Sequence, residues 1–363
     1  MKVDAVIGSS FGDEGKGTIT ARLAFESKKE DKKVLNVLTN GGPQRGHSVT
    51  LANGTQIINK HFGSGTYFGA DNYFYKTFIL NPMQFVKEDG AALCYIHPEC
   101  IFTTPFDIMA NQIIERKRNA GTCGMGIWQT ITRYKDCPFS TTFKHFIKSE
   151  TFEKIQLLKG IREWYERDLT IPKDYSEAWH SDGIIMHFIE DCKTMSLKCK
   201  FGLSQKEMHS FDHVILENGQ GLLLNDEGKD DKDATPSKTG MDIINDFCLA
   251  YNLQNPNIHY VTRPYITRHG AKSRDFLGKT KLENIGIDFT GDREINKEGE
   301  FQGDFEYGNL DIHELYKRVV NDFNKSVIKG SKMILDVTHH DQMSRDWKGF
   351  ENVNYWTNPV VGE

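Results

Sequence analysis

The chain opens on Val3-Asp-Ala-Val-Ile7 and runs directly into Gly8-Ser-Ser-Phe-Gly-Asp-Glu-Gly-Lys-Gly-Thr18. The apolar run reads as a buried strand, the glycine-rich stretch as a loop, and the residues that follow, with Ile19, Leu23 and Phe25 on one side, as a helix. Strand, glycine loop and helix in this order make a phosphate cradle. Glycines let backbone N–H groups turn inward, the helix start adds positive potential, and Lys16 adds a full charge. The loop departs from the common phosphate-loop spacing, with six residues rather than four between Gly8 and Gly15, and it carries Asp13 and Glu14 inside it. Carboxylates beside phosphates need a reason. Asp13 either holds a divalent metal that bridges the phosphates or takes a proton from a substrate bound next to them; the alternative, a tight turn of solvated acids, is disfavoured by the flanking Gly-Lys-Gly-Thr.

Outward from this loop, strand and helix signals alternate. Val34–Leu38, Val214–Leu216, His259–Val261 and Met333–Val337 read as further buried strands, and Pro105–Arg118, Glu150–Tyr165, Ile184–Cys192, Met241–Tyr251 and Leu310–Asn324 as helices. The expected fold is therefore α/β: a mostly parallel central sheet with the phosphate loop after the first strand, helices on both faces and inserted loops. One large domain over residues 1–363 is expected, with a mainly helical insertion at about 90–210. Asp226–Lys238 is too charged for a core and reads as an exposed loop, and Gly286–Asn309 has the composition of a lid or binding loop.

Composition excludes several classes. Of 363 residues, 38% are hydrophobic and 26% charged, which suits a globular chain with a sizeable core. A formal charge of −5 supplies no basic field for a nucleic-acid backbone. No apolar run approaches the roughly 20 residues needed to cross a bilayer, and Asp4 interrupts the start of the chain, so neither a membrane span nor a signal peptide is expected and a cytoplasmic location is. The seven cysteines form no CxxC pair and suit reduced thiols; neither His97 with Cys100 nor Cys192 with Cys199 has zinc-site spacing.

A second constellation, Asn40-Gly-Gly-Pro-Gln-Arg-Gly-His47, follows the second strand and should reach the same carboxyl edge of the sheet, where open α/β folds bind ligands. A histidine framed by glycines in a loop at this edge is a functional candidate rather than a core residue.

Here the motifs resemble those of a known family. Asp-Glu-Gly-Lys-Gly after the first strand, Gly-Gly-x-x-x-Gly-His after the second, Gly121-Thr-Cys-Gly-Met-Gly-Ile127, Glu217-Asn-Gly-Gln-Gly-Leu-Leu223, Thr267-Arg-His-Gly-Ala271 and Thr338-His-His-Asp341 stand in the order seen in adenylosuccinate synthetases. These enzymes join L-aspartate to C6 of a 6-oxopurine nucleotide after a nucleoside triphosphate has phosphorylated O6. The resemblance implies that Asp13 is the base and His47 stabilises the transferring phosphoryl group. It implies that Gly15, Lys16, Gly17 and Thr18 cradle the donor phosphates, and that Asp341 reads the donor base. Magnesium would be held by Asp13 and the carbonyl of Gly46. Gln44, Cys123, Gln220 and Thr235 would contact the acceptor nucleotide. A homodimer is implied too, with Arg133 as the nearest candidate to reach the other subunit's nucleotide pocket.

Several positions depart from the cellular pattern. Gln44, Arg45, Cys123 and Met125 replace the usual residues at the acceptor, and His339 stands where a lysine helps to read guanine. The arginine-rich loop that normally grips aspartate is missing, since GEFQGDFEY precedes Gly308; Arg293 in Thr290-Gly291-Asp-Arg293, or Arg274, is the candidate replacement. These departures resemble the phage-type enzymes that use dGMP and ATP to make a diaminopurine nucleotide precursor, which would place the protein in a host cytoplasm. The alternatives are an IMP-using enzyme with GTP or ATP, a phosphate-loop NTPase switch without aspartate dependence, and an inactive nucleotide-binding homologue. In every case the partners are small molecules, with no direct nucleic acid and no membrane.

Overall fold

The computed structural model describes residues 1–88, 90, 92–118, 121–225, 237–269, 276–287, 303, 305–343, 345–356 and 360–361. In chain order the strands are β1 (Lys2–Gly8), β2 (Val34–Leu38), β3 (His47–Leu51), β4 (Gln56–Asn59), β5 (Asp71–Phe74), β6 (Cys94–Ile96), β7 (Cys199–Phe201), β8 (His213–Gly221), β9 (Asn257–Thr262), β10 (Tyr265–His269), β11 (Lys279–Thr280), β12 (Phe305–Asn309), β13 (Lys332–Thr338), β14 (Val353–Trp356) and β15 (Val360–Val361). The helices are α1 (Lys16–Lys29), α2 (Pro82–Lys87), α3 (Pro105–Arg118), α4 (Ile127–Asp136), α5 (Phe143–Lys148), α6 (Thr151–Glu166), α7 (Lys173–His180), α8 (Asp182–Lys198), α9 (Gln205–Met208), α10 (Met241–Tyr251) and α11 (Ile312–Phe323).

Among the described residues a nine-stranded sheet runs β14-β13-β9-β1-β8-β2-β5-β6-β7, and its neighbours all pair in parallel. The alternation of β1 shows why both faces are covered. Val3, Ala5 and Ile7 join a core with Met241, Ile244 and Phe247 of α10 and Leu315 and Val319 of α11. Val6, one residue out of phase, packs with Ile19 and Ala24 of α1. The strands and helices read from the apolar patterns all form; Val34–Leu38, Pro105–Arg118 and Met241–Tyr251 keep their ends, and the ends of the others move by one to six residues.

The helices α3–α8 lie between β6 and β7 and carry their own apolar cluster, in which Phe106 meets Trp179 edge to face at 5.4 Å. The described residues also form two three-stranded sheets, β10-β12-β11 and β15-β3-β4. The hairpin β3–β4 turns at Asn53-Gly54, with Gly54 at φ 81°. Asp226–Pro236 of the charged stretch lies outside the described residues, as do residues 288–302 and 304 of the expected binding loop.

A polar chain crosses the sheet interior. Asp4 accepts from His213 (2.6 Å) and His259 (3.3 Å), and His259 donates from Nδ1 to Asp336 (2.6 Å). Buried charges persist only when paired in this way.

Candidate active site

The phosphate loop is tied down from several elements. Ser9 donates its hydroxyl to the Val261 carbonyl, Arg318 of α11 donates from Nε to the Ser9 carbonyl (2.6 Å), and Arg263 donates from Nε to the Asp13 carbonyl (2.6 Å). Thr338, at the end of β13, donates its hydroxyl to the Glu14 carbonyl (2.6 Å). The motif after β13 is thereby fastened to the loop after β1, although 324 residues separate these partners. Gly15 precedes α1 at φ 92°, a left-handed conformation that strains any residue with a Cβ. No side chain caps α1 and no acid stands in its first turn, so its positive end is left for a ligand. Lys16, however, is turned inward: its side chain is buried and its ammonium donates to the Gly12 carbonyl (2.6 Å).

His47 is the first residue of β3, and it is buried rather than in an open loop. It packs against the first turn of α1 so closely that a Cβ added to Gly17 would stand 3.0 Å from its own Cβ. Its Nδ1 is 2.6 Å from Glu217 Oε1, while Nε2 is buried without a hydrogen-bond partner. Burial lowers the imidazole pKa and Glu217 only partly restores it, leaving it at about 4. Glu217 is raised by burial, but Arg45, His47 and Ser64 bring it down to about 2. A carboxylate facing a neutral imidazole fixes the tautomer: Nδ1 carries the proton, and Nε2 offers a lone pair. Arg45, also buried, approaches Glu217 at 3.5 Å and donates to the carbonyls of Lys60, His61 and Phe62.

Asp13 stands on the other side of the loop, partly exposed, with Oδ2 3.2 Å from His269 Nδ1 at the end of β10. Burial raises its pKa, and His269, Arg263 and Lys16 outweigh that and lower it, so Asp13 is held as an anion. Gln220, at the end of β8, is buried with both amide atoms unpartnered, as expected of a side chain that awaits a ligand. Gln44 lies in the turn before β3, and the start of α4 reaches the same segment, since a Cβ on Gly42 would meet Ile127 Cδ1 at 2.7 Å. Cys123, in the loop before α4, is neutral: burial pushes its thiol up to about 11.

Three of the motifs therefore meet at the carboxyl edge of the sheet around Gly8–Thr18, and Asp341 follows β13 on the exposed surface beside them. Gly46 carries the carbonyl suggested for a metal, next to His47. Thr235, Arg274, Thr290, Gly291 and Arg293 lie outside the described residues. Arg133 does not join the site. Its guanidinium is buried, forked onto Asp107 (2.8 and 3.0 Å) and bonded to the Phe102 carbonyl, so its donors are engaged within the chain. The site residues read from the sequence do not include Glu217, His269 or Arg263, although Glu217 and His269 stand in two of the motifs that carry the family resemblance, and those motifs are the signal that points to them.

Comparison with known proteins follows the same lines. The adenylosuccinate synthetase family model matches residues 5–290. The chain belongs to the adenylosuccinate synthetase family. The adenylosuccinate synthetase of Borrelia duttonii (strain Ly) is 24% identical over 245 residues, 62% of this chain and 53% of that protein. The Borrelia turicatae (strain 91E135) enzyme is 31% identical over 137 residues, 35% of this chain and 30% of that protein. The chain thus spans about half the length of the first of these relatives. Among solved structures, the fully ligated adenylosuccinate synthetase of Plasmodium falciparum superposes with a TM-score of 0.68 at 16% identity, covering 94% of this chain and 77% of that one. The succinoaminodeoxyadenylate synthetase of cyanophage S-2L, bound to dGMP and dATP, gives 0.63 at 11% identity, covering 95% and 86%. Both show the same fold as this adenylosuccinate synthetase family member. No helix among its described residues is long and apolar enough to cross a membrane.

Proposed function

We propose that the protein is a ligase that joins L-aspartate to C6 of a 6-oxopurine nucleotide, using a nucleoside triphosphate. The observation that carries this reading is His47, packed on the first turn of α1 with Nδ1 fixed by Glu217 and Nε2 unpartnered. A phosphate cradle alone suits any NTPase; a preset imidazole against it, with an ionised Asp13 across the loop, suits phosphorylation of a weak nucleophile.

In this reading Gly15, Lys16, Gly17 and Thr18 hold the donor phosphates and Asp341 contacts the donor base. Asp13 takes the N1 proton of the purine, the electron pair moves to O6, and O6 attacks the γ-phosphorus. The bond from that phosphorus to the β,γ-bridging oxygen breaks and the nucleoside diphosphate leaves. The incoming negative charge favours the protonated form of His47, whose Nε2–H then donates to the phosphoryl oxygens. The amine of aspartate next attacks C6, the C6–O6 bond breaks, and phosphate departs carrying O6 and the proton that the amine gives up. Asp13 and the Gly46 carbonyl are hard oxygen donors that fit magnesium, which would neutralise charge on the donor phosphates.

For the acceptor, Gln44, Cys123, Gln220 and Thr235 form the proposed pocket, and Thr290, Gly291 and Arg293 or Arg274 the aspartate site. The replaced residues Gln44, Cys123 and Met125 favour dGMP with ATP. The names of the sequence relatives favour IMP, and this is the second reading. The assembly we propose is a homodimer, without Arg133 as its cross-subunit group. An oxygen-18 experiment tests the chemistry: acceptor labelled at O6 should transfer its label to the released phosphate. Unlabelled phosphate would exclude the 6-phosphoryl intermediate, and Asp13→Asn should abolish the transfer while leaving nucleotide bound.

A further inference from the structure

The loop that should greet a phosphate already holds an anion of its own. Glu14 is buried, and its Oε1 accepts from the backbone N–H groups of Ser10 and Gly12, both at 2.8 Å. Two inward-turned N–H groups on one oxygen form the same kind of nest that glycine loops offer to phosphate oxygens. Glu14 Oε2 has no hydrogen-bond partner, and the nearest cation, Lys16 Nζ, stands 3.6 Å away while donating to the Gly12 carbonyl. Lys16 is thus held among loop atoms, with its side chain out of solvent.

Gly8 supplies an independent sign that the loop is shaped around this arrangement. A Cβ there would lie 2.4 Å from Glu14 Oε2 and 2.9 Å from Lys16 Nζ, so the missing side chain is the room that the Glu14–Lys16 pair occupies.

We propose that Glu14 is an internal stand-in for a phosphate: it occupies the loop's anion nest and restrains Lys16 until the triphosphate displaces it. The proposal rests on reading this loop as the donor's phosphate cradle, and it goes beyond that reading by giving Glu14 a gating role. Displacement frees two backbone donors and the Lys16 ammonium together, so the cradle becomes complete only when a polyanion is present. The loop stays ordered without nucleotide, and a single phosphate competes poorly against a carboxylate already tethered in place.

The test uses the full chain, with tripolyphosphate and magnesium as the probe, by titration calorimetry and thermal melting. Glu14→Gln keeps the shape and one acceptor oxygen but removes the charge that competes with phosphate. It should bind tripolyphosphate about tenfold more tightly than the unaltered protein while melting at a lower temperature without ligand. Opposite signs in affinity and stability distinguish a displaceable stand-in from a brace. Binding that is unchanged or weaker in Glu14→Gln would overturn the proposal, as would an absence of tripolyphosphate binding by both proteins. Should Glu14→Gln fail to fold, Glu14→Asp serves instead. Its shorter side chain should loosen the nest contacts and also tighten binding, and weaker binding would overturn the proposal. Because neither measurement needs aspartate or turnover, tight polyphosphate binding without ligation would defeat the proposed function and leave this inference standing.

Discussion

His47 Nδ1 and Glu217 Oε1 are 2.6 Å apart in the interior of the protein, one at the start of β3 and the other in the middle of β8, separated by 170 residues in sequence. The contact fixes which imidazole nitrogen is open, and Arg45 and Ser64 fix the carboxylate in turn. Glu217→Gln removes the charge that holds the Nδ1 proton in place. Ligation should fall by about a hundredfold or more. Stability should fall by about 3 kcal/mol, because Arg45 is left buried beside a neutral amide. Stopped assays and urea unfolding measure the two effects separately.

Gln220 offers a cleaner separation of substrates. Both of its amide atoms lack partners in the described structure, so little holds the side chain in place apart from packing. Gln220→Ala should raise KM for the acceptor nucleotide by about tenfold while leaving the donor KM and the melting temperature nearly unchanged. A matching rise in the donor KM would move Gln220 to the other half of the site.

Arg133 should behave as a core residue. Arg133→Ala strands Asp107 as an unpaired buried carboxylate, and the expected loss is about 3–5 kcal/mol of stability. Any loss of activity should track the folded fraction. A stable variant defective only in acceptor binding would restore the cross-subunit role.

The pH dependence of stability follows from the displaced titrations. His47 falls from 6.5 to about 4 and Glu217 from 4.5 to about 2 in the folded state. For both, the unfolded chain takes up protons first as pH drops, so stability is lost from about pH 6.5 downward. His259 moves the other way. Burial lowers it, but Asp336 and Asp4 outweigh this and raise it to about 9, so the stability it confers is full below pH 6.5 and lost as pH rises through 9. Melting temperature against pH should therefore peak near pH 6.5, and His259→Gln should flatten the alkaline limb. An unchanged limb would remove His259 from that account.

The fold was legible where segments are long and apolar. Val34–Leu38 and Met241–Tyr251 were read with the ends they have in the structure. The short strands β5, β6 and β7 were not, because Asp71–Phe74, Cys94–Ile96 and Cys199–Phe201 become strands through pairing with neighbours rather than through a pattern of their own. The β3–β4 hairpin could have been found from Asn53-Gly54 between apolar runs. In the site, local motifs located Asp13, Lys16 and His47, since glycine spacing is visible along the chain. The partners Glu217 and His269 come from distant strands, and only the fold brings them to His47 and Asp13.

Mass analysis of the products decides whether the protein joins aspartate to a purine nucleotide. Purified protein would be incubated with magnesium, ATP and L-aspartate, with dGMP or IMP offered in parallel. A succino adduct of dGMP that requires aspartate is the predicted result, and an adduct from IMP alone would replace the acceptor assignment. Phosphate release without either adduct would mean that the protein is a phosphate-loop NTPase and not a ligase.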